Sequence, residues 1–204
     1  LFSSPVNNKI EEFLALCNLK VSSILEIGCA NGYKLAKYQK MLKLKSCFGV
    51  DLSKKAIKDG KKRYKKINFR NLSSLEIDKI KPKFDMIICG FFLYQLDRED
   101  IFLQFDKIFK KLNNSGYLLI EDFDPLFNHS NKSLHNKKLK SYKMSFDNFL
   151  VQSGLFKLIF KYKSNSPSHT KYNVPIDKKK FKSNDISVTL FKKINFEESY
   201  PENI

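Results

Sequence analysis

The chain has 204 residues, of which 42% are hydrophobic and 29% charged, and its formal net charge is +17. This length suits one α/β domain that buries roughly 70% of its unfolded surface, and it excludes two full-sized domains. No apolar run approaches the ~20 residues of a membrane span, so we expect a soluble cytoplasmic protein without a membrane partner. Length and composition leave the oligomeric state open.

The positive charge comes almost entirely from lysine, because Arg63, Arg70 and Arg98 are the only arginines among 38 basic residues. A charge of this size invites a nucleic-acid partner. However, the lysines are scattered over the whole chain, and many lysines with few arginines are typical of an AT-rich coding sequence. We therefore favour a compositional origin, and a nucleic-acid partner is the second interpretation.

Four cysteines, Cys17, Cys29, Cys47 and Cys89, show no paired spacing. Three of them lie inside or beside predicted strands, where a free thiol behaves as a small buried hydrophobe. We therefore expect neither disulfides nor a metal site in this chain.

The first half of the chain predicts alternating helices and strands. Residues 7–19 have the apolar spacing of an N-terminal helix, and residues 24–27 form an apolar run typical of a buried strand. Gly28 and Gly32 then allow a sharp turn and a close approach of the backbone to a ligand. The next predicted elements are a helix at 33–44, a strand at 47–50, a helix capped by Ser53 and ending at 62, a strand at 67–69, a loop at 71–76 and a strand at 84–89.

The second half continues the alternation and ends in two strands. Asp97 is expected to cap a helix that ends at residues 113–116. A fifth strand follows at 117–120, and the polar segment 125–143 predicts a loop or lid. The last predicted elements are a helix at 145–154 and strands at 156–162 and 186–191, separated by a polar stretch at 163–185 that is too long for a tight turn.

This order of elements predicts an α/β fold with a Rossmann-like, seven-stranded sheet and helices on both of its faces. Five strands would be parallel, the C-terminal pair would add as antiparallel strands, and ligands would bind at the carboxyl ends. We treat residues 1–204 as one domain with a cofactor-binding core at 8–125. Residues 126–204 would supply the lid, the last helix and the C-terminal strands on the substrate side.

The glycine turn does not match the dinucleotide fingerprint, whose three glycines would fall on Gly28, Ala30 and Tyr33. It instead has an acid, Glu26, two residues before its first glycine and a second glycine four residues after it. These features resemble motif I of the class I S-adenosylmethionine-dependent methyltransferases, and the resemblance extends over residues 8–194. It implies S-adenosyl-L-methionine as the cofactor and S-adenosyl-L-homocysteine as the product.

The resemblance also implies the cofactor contacts. Asp51, at the end of the second strand, would accept both ribose hydroxyls, and Asn71 would hold the exocyclic amine of the adenine. A capping aspartate and a turn asparagine are the alternative interpretations of these two residues. The other cofactor-binding positions are Glu26, Gly28, Cys29, Ala30, Asn31 and Gly32 near the methionine end, Leu52 and Leu72 beside the adenine, and Gly90 and Phe91 after the fourth strand.

Methyl transfer to an oxygen atom would also require removal of a proton. His129, in the polar segment 125–143, is the first candidate for the base, and a solvated histidine is the alternative interpretation. Asp122 and Asp124 would orient the substrate or bind a hydroxyl, and Tyr142 is a further catalytic candidate.

Two absences narrow the choice of acceptor. The fourth strand is followed by Gly-Phe-Phe and not by the Asn-Pro-Pro-Tyr type motif of amino-methylating nucleic-acid enzymes, and no Pro-Cys pair suits cytosine C5 methylation. We therefore favour a small-molecule acceptor, methylated on an oxygen of a sugar-related or other polar metabolite. An RNA methyltransferase and a non-catalytic cofactor-binding partner module are the alternatives.

Overall fold

The computed structural model describes residue 14 and residues 19–132, 140–164 and 185–196. The predicted N-terminal helix lies almost wholly outside these ranges, as do Cys17, His135 and most of the stretch 163–185. Within the described ranges, no helix is both long and apolar enough to cross a membrane.

Seven of the nine strands in these ranges form one sheet in the order β3-β2-β1-β4-β5-β9-β8. Strands β1 to β5 pair in parallel, and β9 lies antiparallel between β5 and β8. The predicted seven-stranded α/β architecture is therefore confirmed. The strands are β1 (Ser23–Ile27), β2 (Ser46–Val50), β3 (Asn68–Arg70), β4 (Phe84–Gly90), β5 (Leu112–Phe123), β6 (His129–Lys132), β7 (Lys140–Lys143), β8 (Phe156–Ser164) and β9 (Ile186–Lys193).

The described helices are α1 (Tyr33–Met41), α2 (Lys54–Arg63), α3 (Ile101–Lys111) and α4 (Asp147–Gln152), with 3₁₀ turns at Ser74–Lys79, Leu93–Gln95 and Arg98–Asp100. The start of α2 is fixed by its cap, since the Ser53 hydroxyl accepts a hydrogen bond from the backbone N–H of Ala56 at 3.2 Å. This bond confirms the cap expected from the sequence.

Both faces of the sheet are covered. On one face α1 and α2 pack Leu35, Tyr38 and Ile57 into a buried apolar layer, and on the other α3 buries Phe105 and Ile108. The described cysteines, Cys29, Cys47 and Cys89, are buried free thiols, as predicted. Burial raises the pKa of the Cys47 thiol to about 12 and also raises those of the Cys29 and Cys89 thiols, so all three stay protonated at neutral pH.

Three local predictions were wrong. The segment 125–143 is not only a loop, because β6 and β7 pair within it as a separate antiparallel hairpin. Asp97 makes no side-chain capping bond, and α3 begins after an intervening 3₁₀ turn at Arg98–Asp100. Strand β5 begins at Leu112, so residues 113–116, predicted to end the helix, belong to the strand. The strand has a register shift against β4 and a positive φ of 56° at Ser115.

Candidate active site

The glycine turn closes over the carboxyl ends of β1 and β2. The backbone N–H groups of Gly28 and Cys29 donate to the carbonyl of Val50 at 2.9 and 3.0 Å. Gly28 has a φ of +72°, and a Cβ at this position would lie 2.8 Å from the Cβ of Phe92. The turn therefore needs a glycine here both for its backbone conformation and for close packing.

Asp51 is held by two backbone donors at the end of β2. Its Oδ2 accepts from the N–H of Ala30 at 2.8 Å, and its Oδ1 accepts from the N–H of Ser53 at 2.8 Å. A carboxylate oxygen has two acceptor sites, so each oxygen keeps one for a ligand. The side chain is thereby fixed at the edge of the sheet, facing the open space beside the turn.

A cavity of about 490 Å³ opens beside Asp51, at the carboxyl ends of the parallel strands. Its size falls within the range of small-molecule sites. The residues that line it are Gly28, Ala30, Val50, Asp51, Leu52, Leu72, Ser73, Ser74, Leu75, Phe91, Phe92, Gln95, Leu96, Asp97 and Asp100.

Two lining residues adopt strained backbone conformations. Ala30 and Phe91 have φ values of 48° and 51°, in the left-handed region that residues with a Cβ rarely adopt. The N–H of Phe91 donates to the carbonyl of Glu121 at 2.8 Å, which helps to hold this conformation. Such strain costs on the order of 1–3 kcal/mol per residue and is concentrated at functional sites.

Asn71 lies behind the cavity wall rather than in it. Its Nδ2 donates to the carbonyls of Asp51 and Leu52 at 2.8 and 2.9 Å. It therefore holds the backbone of Asp51 and Leu52 in place. Both hydrogen bonds found for this side chain use Nδ2, and the contact with adenine that the family resemblance implies stays a prediction.

Two buried acids lie beneath the turn. Glu26 is 3% exposed and Glu121 is 2% exposed, and each has one carboxylate oxygen without a hydrogen-bond partner among the described residues. Lys34 forms an ion pair with Glu121 at 2.5 Å, and Glu26 lies next to Gly90. Burial raises the pKa of Glu26 to about 8, against a smaller lowering effect of Lys34. The unpaired oxygens make this a place for a cationic ligand group.

Asp122 faces the opposite layer of the molecule from Glu121. Its carboxylate accepts from the N–H groups of Phe123 at 2.7 Å and Tyr94 at 3.3 Å. Burial raises its pKa to about 7. Arg98 also binds the 3₁₀ turn at Leu93–Gln95, because its guanidinium donates to the carbonyls of Leu93 and Leu96 at 2.6 and 2.7 Å. Together these side chains fix the turn that supplies part of the cavity wall.

The β6–β7 hairpin packs beside this turn. The Tyr142 ring lies 4.9 Å from the Arg98 guanidinium, and the Lys143 ammonium lies 4.2 Å from the centre of the Phe123 ring. Phe123 in turn makes an edge contact with Phe91, with 5.9 Å between the ring centroids. The hairpin is thus connected to the cavity wall through aromatic contacts.

His129 lies on β6, opposite Lys143, and outside the cavity wall. Its Nδ1 is 2.9 Å from the carbonyl of Phe127, and its Nε2 has no hydrogen-bond partner among the described residues. Asp124 is engaged elsewhere, in ion pairs with Lys161 at 2.9 Å and Lys163 at 3.4 Å.

The structure divides the predicted cofactor-binding residues into two groups. Gly28, Ala30, Asp51, Leu52, Leu72 and Phe91 line the cavity, whereas Cys29, Asn31, Gly32, Asn71, Glu26 and Gly90 do not. The predicted catalytic residues Asp122, Asp124, His129 and Tyr142 lie outside the cavity wall as well. The sequence interpretation missed Gln95, Leu96, Asp97 and Asp100 in the wall and the Lys34–Glu121 pair beneath it. Lys34 lies in the first turn of α1 and Glu121 lies near the end of β5, and nothing in the sequence indicates that they meet. Among the described residues, no group of three or more His, Cys, Asp or Glu side chains could hold a metal ion.

Comparisons with known proteins agree with this geometry. Residues 19–185 match the family model described as a methyltransferase domain. An uncharacterized protein of Rickettsia prowazekii (strain Madrid E) is 37% identical over 76 residues, and the match covers 35% of this chain but only 30% of that protein.

Two solved structures share the fold at low sequence identity. The N-methyltransferase NodS from Bradyrhizobium japonicum WM9, in complex with S-adenosyl-L-homocysteine, is 18% identical with a TM-score of 0.66, over 95% of this chain and 90% of that one. The 1,6-didemethyltoxoflavin-N1-methyltransferase of Burkholderia thailandensis is 12% identical with a TM-score of 0.71, over 95% and 80% of the chains. The chain therefore belongs to the methyltransferase domain family and has the fold of the class I S-adenosylmethionine-dependent methyltransferases.

Proposed function

We propose that this chain transfers the methyl group of S-adenosylmethionine to an oxygen atom of a polar small molecule and releases S-adenosylhomocysteine. The observation that carries this proposal is the cavity beside Asp51, which combines a fixed carboxylate at its rim with unpaired buried carboxylate oxygens beneath it. This combination of groups matches a ligand with vicinal hydroxyls at its centre and an ammonium group at one end.

The chain's residues fit each part of the cofactor. Asp51 would accept the two ribose hydroxyls with the acceptor sites that its backbone bonds leave open. Leu52 and Leu72 would pack against the adenine from the cavity wall. The unpaired Oε2 of Glu26 would bind the amino group of the methionine end, which removes the cost of leaving this oxygen buried and unpaired.

The glycine turn, Gly90 and Phe91 would shape the methionine end. Small residues let the backbone approach the ligand, and the strained conformation of Phe91 places its ring in the wall. Cys29, Asn31 and Gly32 lie within the turn and would determine the path of its backbone, without a side-chain contact to the cofactor.

When bound, the cofactor supplies a methyl group on a positively charged sulfur. The chain's task is then to hold the acceptor atom in line with that methyl carbon, and such positioning is worth roughly 7 to 11 kcal/mol at best. The contacts from Lys143 through Phe123 to Phe91 support an acceptor that enters on the side of the β6–β7 hairpin.

His129 is our candidate for the base. A carbonyl can only accept a hydrogen bond, so the contact with Phe127 puts the proton of a neutral ring on Nδ1. Nε2 then carries the lone pair, on an atom that is buried and has no hydrogen-bond partner among the described residues, so the hydroxyl that gives up its proton would have to reach Nε2 at this buried position. Asp122 and Tyr142 would position the turn and the hairpin around the acceptor, and Asp124 would anchor the end of β5 through its ion pairs.

A panel of hydroxylated and amine metabolites, assayed by formation of S-adenosylhomocysteine, tests this proposal. We expect turnover with a hydroxyl acceptor, and a His129→Asn loss of about 10²- to 10⁴-fold in kcat with unchanged cofactor binding. Ser130→Ala, on the same strand, is the matched control and should keep its activity. Turnover of amines alone, unaffected by His129→Asn, would contradict both the acceptor class and the base.

A further inference from the structure

Part of the positive charge is concentrated locally. Residues 33–66 contain thirteen lysines and arginines against two acids, whereas residues 67–125 contain eight against ten. A compositional bias toward lysine would affect both segments alike. The lysines are scattered over the whole chain, and residues 126–204 also carry fifteen against six acids, but the excess at 33–66 is the highest for its length and needs a local reason.

The charged segment forms a single surface. Helices α1 and α2 share one apolar layer. Two hydrogen bonds connect them, one from Asn31, before α1, to Asp59 of α2 at 2.9 Å, and one from Gln39 of α1 to the carbonyl of Lys66, after α2, at 3.3 Å. Lys34 of α1 is paired with the buried Glu121 and does not belong to this surface, whereas the lysines at 40, 58, 61, 62 and 66 are all exposed. We call the exposed cations of α1, α2 and residues 65–66 the basic face.

Within the part of the chain that the structure describes, little negative charge neutralises this face. Asp59 is the one acid on α1 and α2, and it is already bonded to Arg63 at 2.7 Å. On α3, by contrast, Lys107 and Lys110 have acidic partners at 2.5 and 2.8 Å. The basic face therefore keeps a high local charge density, and such a surface attracts a polyanion and releases its counterions on binding.

We infer that the basic face binds the phosphate backbone of a nucleic acid. Lysine ammonium groups bind phosphates as point charges without requiring a base sequence. An anionic membrane fits less well, because a helix that lies on a membrane buries large apolar side chains, and on α1 and α2 only Tyr33, at the start of α1, is large, apolar and exposed. Helix α2 begins just after Asp51 and leads away from the cavity, so a bound strand would pass the cavity rim without needing to enter it.

Fluorescence anisotropy with a labelled 20-nucleotide RNA of mixed sequence, titrated with salt, tests this inference. The test variant replaces Lys58, Lys61, Lys62 and Lys66 with glutamine. The control variant, of equal net charge, replaces Lys81, Lys83, Lys110 and Lys157, which are exposed elsewhere. Cofactor titration of each variant reports its folding separately, and Lys58→Gln with Lys62→Gln is the milder substitute if the fourfold variant does not fold.

We expect micromolar binding at low salt, at least a tenfold loss in the test variant and a log–log salt slope reduced by about 3. The control variant should remain within about threefold of the native chain. Equal losses of RNA affinity in both variants would show that binding depends only on net charge, and this result would overturn the inference. Absence of RNA binding by the native chain, or preferential binding to phosphatidylserine vesicles, would overturn it as well, whether or not methyl transfer is observed.

Discussion

Ala30 and Asp51 connect the glycine turn to the end of β2, because the N–H of Ala30 donates to the Oδ2 of Asp51 at 2.8 Å. Ala30 makes this bond while it adopts a φ of 48°, in the left-handed region. The turn and the ribose candidate are thus held as one unit before any ligand binds.

Ala30→Gly should stabilise the chain. Relief of the left-handed strain is worth about 1–2 kcal/mol, and the greater freedom of glycine in the unfolded chain offsets about 0.5–1 kcal/mol of it. The expected net gain is up to about 1.5 kcal/mol in urea unfolding, with cofactor affinity unchanged. Ala36→Gly, in the interior of α1, is the matched control and should destabilise. A loss of stability in Ala30→Gly would show that the methyl group of Ala30 contributes packing that outweighs the strain.

Glu26 should make cofactor binding and stability respond to pH in opposite directions. Burial raises its pKa from 4.5 to about 8, so the folded chain holds a proton that the unfolded chain releases. Its contribution to stability is therefore complete below about pH 4.5 and is lost as pH rises through about 8. Ionised Glu26 binds an ammonium group better, so the affinity for S-adenosylhomocysteine should increase from pH 6.5 to pH 8.

Glu26→Gln separates these two effects. We expect this variant to be more stable than the native chain at pH 8, by an amount on the order of a few kcal/mol, and to bind the cofactor more weakly. Urea unfolding and calorimetry at pH 5, 6.5 and 8 measure both quantities. An affinity for S-adenosylhomocysteine that has the same pH dependence in the native chain and in Glu26→Gln would rule out the carboxylate as the ammonium partner.

Asn71→Asp tests whether this side chain acts through its amide N–H group. The change keeps an acceptor for the adenine amine but removes the donor to the carbonyls of Asp51 and Leu52. It also places a carboxylate against those carbonyls, so we expect a loss of about 10- to 100-fold in cofactor affinity. Undiminished affinity would instead favour the contact with adenine suggested by the sequence.

Arg98→Met should destabilise the chain more than Arg70→Met. Arg98 satisfies the carbonyls of Leu93 and Leu96, whereas Arg70 makes one longer bond of 3.3 Å to the carbonyl of Phe69. Losing the two bonds should cost about 1–3 kcal/mol, or several degrees in Tm for a chain of this length. Arg98→Lys should recover part of this loss, and equal Tm values for Arg98→Met and Arg70→Met would exclude a clamping role.

The sheet and its ligand-binding edge could be predicted from the sequence because apolar runs, glycines and helix caps are local signals. Residues 24–32 show this best, since strand, acid and turn follow one another directly. The hairpin formed by β6 and β7 escaped prediction because its residues are polar and its strands are held by pairing with each other and by contacts with a distant turn.

Only part of the cavity wall could be predicted, because the rest depends on contacts between residues that are distant in the sequence. Asp51 follows a strand and is recognisable by position, but Asp97 and Asp100 reach the cavity through a 3₁₀ turn that the sequence presents as a helix cap. Likewise, Lys34 and Glu121 are 87 positions apart, and only the adjacent placement of β1, β4 and β5 brings them together.

The central claim is that the cavity beside Asp51 binds the cofactor, and calorimetric titration with S-adenosylhomocysteine tests it most directly. We predict micromolar binding by the native chain and at least a 100-fold loss in Asp51→Ala, because two charge-assisted hydrogen bonds of about 1.5–3 kcal/mol each are removed. Asp106→Ala, on the outer side of α3, should bind like the native chain. No binding by a folded native chain, or equal binding by Asp51→Ala, would contradict the account.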